Sequence, residues 1–130
     1  IVMDEKFYFD KKELLNSEEI RFITLDGSAG NFIILIQNDN LKVRLKKDSL
    51  FNSDVVGSTS NEELKIFKKR QTDFATNSRK YSGERAAALK NADNAAAIAV
   101  TTKWSNAEND FKAYATQMVT DNNSSVVAPM

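Results

Sequence analysis

From Gly83 to Asp121 the chain meets no second glycine and no proline. This stretch is by far the longest uninterrupted helix signal in the chain. Helical spacing puts Leu89, Ala92, Ala96, Val100, Trp104, Ala107, Phe111, Tyr114 and Met118 on one face, at steps of three and four. The face has two halves. From Ala86 to Ala99 it is mostly alanine, the best helix former but one with little area to bury. From Val100 to Met118 it carries Trp104, Phe111 and Tyr114 and needs a deeper partner.

A second amphipathic stretch lies upstream, where Leu64, Phe67, Gln71, Phe74, Ser78 and Tyr81 recur at the same steps. Ser60 or Asn61 can cap its start, and Glu62 and Glu63 suit the positive end of the helix dipole. Tyr81-Ser82-Gly83-Glu84 reads as a tight turn between the two helices. Folding back there sets Phe74 near Ala92, Gln71 near Ala96, Phe67 near Val100 and Leu64 near Trp104, mostly large against small. The helices are then unequal, about 30 Å and about 55 Å, and the end bearing Phe111, Tyr114 and Met118 must cover something else. A single unbroken helix from Asn61 to Thr120 is the rival reading and requires oligomeric support.

The first 58 residues have a different period. Phe7-Tyr8-Phe9 marks a first strand and Ile20 to Leu25 a second. Asp26-Gly27-Ser28-Ala29-Gly30-Asn31 is a turn signal. Phe32-Ile33-Ile34-Leu35-Ile36 is short, apolar and β-branched, as a buried central strand is. Asn38-Asp39-Asn40 reads as a hairpin turn, followed by Leu41, Val43 and Leu45 on one strand face and Lys42, Arg44 and Lys46 on the other. Leu50, Phe51, Val55 and Val56 cover the sheet or add an edge strand. The expected fold is therefore α+β: a small antiparallel β-meander or open barrel over 1–58, then an antiparallel two-helix hairpin with a long Ala-rich second helix over 59–121, packed on it, and a polar tail over 122–130.

Composition narrows the chemistry. The 130 residues include no His and no Cys. That removes the usual general base near neutral pH, the commonest metal ligand, thiol chemistry and disulfides. Serines without histidine form no Ser-His triad. No apolar run approaches the roughly 20 residues that span a bilayer. Asp26-Gly27-Ser28-Ala29-Gly30 lacks the Lys-Ser/Thr ending and the following helix of a phosphate loop. Asp10, Glu13, Glu18 and Glu19 could pair as carboxylates, but surface charge explains them better. Trp104, Phe111 and Tyr114 could line an apolar pocket, though at helical spacing they read first as core. No cofactor is expected.

The 18 basic and 18 acidic residues balance, yet unevenly along the chain. Residues 1–39 carry a net −4, 40–85 a net +5 and 86–130 a net −1. The basic middle nominates Lys42, Arg44, Lys46, Lys68, Lys69 and Arg70 as a partner-binding set. Nucleic acid is the alternative partner for the segment 42–80, disfavoured because the basic strand face offers no aromatics to stack on bases. The expected function is a non-catalytic accessory or adaptor protein acting through protein–protein contacts, in the style of a bacterial envelope or secretion assembly. The Ala-rich stripe also suits a homo-oligomer seam. A start at Ile1 and abundant Asn, Ser and Thr lean toward a trimmed, exported chain.

Overall fold

A computed structural model describes residues 2–3, 6–9 and 14–121. The expected polar tail, 122–130, and the candidate carboxylates Asp10 and Glu13 lie outside the described residues. The chain divides into two compact units, Ile1–Ser58 and Thr59–Met130. The arrangement is α+β, with antiparallel strand pairs followed by two long helices.

In the first unit the strands are β1 (Val2–Met3), β2 (Lys6–Phe7), β3 (Glu19–Ile23), β4 (Phe32–Ile36), β5 (Lys42–Arg44) and β6 (Asp54–Val56). Among the described residues they pair as three separate antiparallel ladders, β1 with β2, β3 with β4 and β5 with β6, rather than as one meander or a closed barrel. Tyr8 and Phe9, expected in the first strand, follow β2 outside any ladder. The β3–β4 connection does turn at Asp26-Gly27: Ser28 N–H donates to the Leu25 carbonyl at 3.0 Å, and Gly27 and Gly30 take positive φ of 76° and 82°.

Asn38-Asp39-Asn40 is not a hairpin turn, because β4 and β5 do not pair. The Asn38 side chain instead grips the backbone of Leu15, accepting from its N–H at 2.9 Å and donating to its carbonyl at 3.0 Å. An amide side chain can supply both halves of a ladder rung in this way. The partner of β5 comes from downstream, after a single 3-10 turn at Leu50–Asn52. Lys46 N–H donates to Ser53 Oγ at 3.0 Å and holds the ends of that excursion together.

The ladders pack through side chains. Phe32 and Ile34 of β4 and Val55 of β6 form a buried cluster, with Ile23, Ile36, Leu41 and Leu45 packed against it. Leu35, on the opposite face of β4, and Leu50, in the 3-10 turn against β4, are also buried. Burial on both faces explains the unbroken apolar run. Strand β4 is nonetheless not central by pairing: its ladder partner among the described residues is β3.

The second unit is an antiparallel helix pair, α1 (Thr59–Lys90) and α2 (Asn94–Asp121). The turn lies at Asn91-Ala92-Asp93, not at Gly83, which sits inside α1. Asp93 N–H donates to the Ala88 carbonyl at 2.9 Å and Ala92 N–H to the Leu89 carbonyl at 3.1 Å. These are the crossed bonds of a Schellman ending, with Ala92 in the left-handed position at φ 55°. Asp93 then caps α2, its Oδ1 accepting from Ala96 N–H at 2.9 Å. The helices are of 32 and 28 residues, roughly 48 Å and 42 Å, so no long overhang remains.

Magnitudes explain why the turn moved. A helical Gly83 costs about 1 kcal/mol and a left-handed alanine about 1–2 kcal/mol. Against these, the Asp93 cap contributes about 1 kcal/mol. The matched lengths also bring Phe67 and Phe74 of α1 onto Phe111 of α2, instead of onto the expected Val100 and Ala92. Each aromatic contact adds about 0.5–1.5 kcal/mol beyond the area it buries. Ser78 Oγ, on the same face of α1, is buried without a hydrogen-bond partner.

Two glycine substitutions separate the observed turn from the expected one. A Cβ on Gly83 meets nothing within 4 Å and its φ is not positive, so Gly83→Ala should stabilise the protein by about 1 kcal/mol. At Gly57, with φ 117°, a Cβ would collide with the Asn40 carbonyl oxygen, so Gly57→Ala should destabilise by about 2 kcal/mol or more. Urea denaturation followed by far-UV circular dichroism measures both, and a loss of stability in Gly83→Ala would return the turn to that position.

Candidate functional site

The six basic residues singled out by sequence fall into two sets, one in each compact unit. Lys42 and Arg44 are exposed on one face of β5, and exposed Lys46 follows the strand. Alternation puts Leu41 and Leu45 on the other side, against the β core, as the sequence pattern implies. The β5–β6 register sets Arg44 opposite Asp54, an opposite-charge cross-strand pair that tempers the positive face.

Lys68, Lys69 and Arg70 do not share one helix face. Consecutive helical residues point about 100° apart, and each of the three meets different surroundings. Lys69 is exposed and its Nζ donates to Asp73 Oδ2 at 2.5 Å, one turn on. Arg70 places its guanidinium carbon 4.1 Å from the centre of the Tyr114 ring on α2. Lys68 is half-buried, and desolvation holds its ammonium below the ordinary lysine value of 10.5. Further along, Lys80 pairs with Glu84 at 3.9 Å. Much of the basic segment thus balances charge locally or packs against its own unit.

Of the aromatic residues considered for a pocket, Phe111 and Tyr114 take part in the helix–helix contact. The Phe111 ring is stacked on Phe74 at 5.1 Å with planes 3° apart, and lies 6.1 Å from Phe67. Trp104, Phe111 and Tyr114 are all half-buried. Of the carboxylates, Glu19 pairs with Arg21 two residues along β3. Among the described residues no group of three or more His, Cys, Asp or Glu could hold a metal ion, and no helix is long and apolar enough to cross a membrane.

Sequence reasoning missed the second face of the β3–β4 ladder. Register sets Ile20 opposite Leu35 and Phe22 opposite Ile33, so four apolar side chains share that face. Leu35 is buried and Ile33 half-buried, whereas Ile20 borders on exposure and Phe22 is 61% exposed. The signal was present: β3 alternates charged Glu19 and Arg21 with apolar Ile20 and Phe22. Its charged side, however, is the one in register with the core residues Ile34 and Ile36, which no period-two pattern could announce. No protein-family model, curated protein or solved structure matches the chain.

The Arg70–Tyr114 contact fixes the helix register and can be measured. A double-mutant cycle with Arg70→Ala and Tyr114→Leu should return a coupling of about 0.5–1 kcal/mol. Zero coupling would mean that the two helices are paired in another register.

Proposed function

We propose that the protein is a non-catalytic accessory or adaptor protein that works through protein–protein contacts within a larger assembly, of the kind found in bacterial envelopes and secretion systems. The observation that carries this reading is the apolar β3 surface of Ile20 and Phe22. An aromatic left 61% exposed on a strand face stabilises the fold less than a buried one does, and contiguous exposed apolar surface is characteristic of interaction sites. The composition agrees, because a chain without His or Cys lacks the groups that most enzymes use near neutral pH.

The basic strand face supplies the second element. Lys42 and Arg44 suit a partner with acidic residues at its rim, where charge steers encounter more than it adds affinity. Nucleic acid is less well supported. Lys69 and Lys80 already pair with acids on their own helix, and Arg70 lies against Tyr114.

Photo-crosslinking from position 22 in the native cell, followed by reconstitution with the purified captured protein, tests the reading. Phe22→Glu should reduce that binding at least tenfold while leaving the thermal melt unchanged. Lys42→Glu with Arg44→Glu should slow association in a salt-dependent manner. If the purified chain instead binds single- or double-stranded nucleic acid with a steep salt dependence, and Phe22→Glu changes nothing, the adaptor reading falls.

A further inference from the structure

We propose that the helical hairpin is an exchangeable clasp: the turn Asn91-Ala92-Asp93 can straighten into helix, and two copies of the chain then swap their second helices to form a dimer. This inference rests on the helical unit alone and stands apart from the partner-binding surface on β3.

Three observations carry it. First, the turn is made by the wrong residue. Ala92 is the only non-glycine with positive φ among the described residues, at 55°. A Schellman ending favours glycine there because a Cβ is strained in that conformation. The same alanine is ideal in a straight helix. Secondly, nothing in the sequence around the turn blocks straightening. No glycine or proline occurs from Glu84 to Asp121, and the turn is flanked by Ala86-Ala87-Ala88 and Ala95-Ala96-Ala97. One continuous helix would run about 94 Å from Thr59 to Asp121. Thirdly, the two arms are nearly equal, at 32 and 28 residues, and pack on each other. A second copy can therefore supply every contact that an opened chain loses, including Phe74 on Phe111 and Arg70 on Tyr114.

Short hinges under strain are the usual setting for such exchange, since the swapped and closed forms share their interfaces and differ only at the hinge. Asp93 works the other way. Its side chain caps α2 only when the turn is formed, so it holds the hairpin closed. The clasp is thus poised between a residue that favours opening and one that favours closing.

The test uses the full chain, whose lack of cysteine permits clean spin labelling at Thr72→Cys and Asn109→Cys, both exposed. In a closed hairpin the two labels lie on facing helices with axes about 10 Å apart. In an opened chain they lie about 55 Å apart along one helix. Sedimentation equilibrium should show a concentration-dependent dimer. In the dimer the short label distance should vanish, and the long one remain, when the labelled chain is refolded with excess unlabelled chain. Ala92→Gly should weaken the dimer at least about thirtyfold, because glycine relieves two hinges and weakens two straight helices. Asp93→Ala should tighten it about tenfold or more. The proposal is overturned if wild type and Asp93→Ala both stay monomeric to millimolar concentration. It is equally overturned if a dimer keeps its short distance on dilution, which would place the contact on outer faces, or if Ala92→Gly leaves dimerisation unchanged.

Discussion

The packing of Phe67 and Phe74 onto Phe111 is the interaction on which the helical half depends. Once these rings meet, the register of the pair is set, Arg70 falls on Tyr114, and the turn must lie near residue 92. Every local preference that points elsewhere is then overruled. Gly83 becomes an ordinary helical residue at a cost of about 1 kcal/mol, and Ala92 accepts a conformation that alanine dislikes. Tertiary packing of an amphipathic face outweighs intrinsic propensity wherever the two disagree, because propensity differences are small and side-chain burial is not.

The β half obeys a related constraint with fewer means. Its strands are of two to five residues, too short for ladders to be stable alone. Side chains therefore do what hydrogen-bond continuity does in a larger sheet. Phe32, Ile34 and Val55 join the β3–β4 and β5–β6 ladders without a shared strand edge. Individual polar groups complete the work, with Asn38 holding Leu15 and Ser53 holding Lys46. Gly57 ends this region at a position where the Asn40 carbonyl leaves no room for a side chain.

Each half also leaves particular side chains uncovered. Phe22 stays 61% exposed on β3, and Lys42 and Arg44 are exposed on β5. The helix pair closes its aromatic seam on itself and leaves i,i+4 ion pairs outside, Lys69 with Asp73 and Glu108 with Lys112 among them. Such exposed pairs contribute only about 0.3–0.5 kcal/mol each, so they keep the surface soluble more than they hold the fold. A seam satisfied equally well by the same chain or by a second copy makes the turn the deciding element of the clasp.

The sequence by itself determined the α+β class, the change from period two to helical period, the α2 stripe from Ala96 to Met118 (though not Leu89 and Ala92, which fall in α1 and the turn) and the exposure of Lys42, Arg44 and Lys46. These follow from side-chain spacing, which local geometry converts directly into faces. It also carried, unread, the cap signal of Asp93 ahead of an alanine run. Only the tertiary structure decided where the hairpin turns, which strands pair, and that the charged side of β3 rather than its apolar side is in register with the core. Each of these is a choice between registers whose local energies differ by about 1 kcal/mol. The balance is settled by contacts between residues far apart in the chain, such as Phe74 with Phe111 and Val55 with Phe32, and no local pattern contains them.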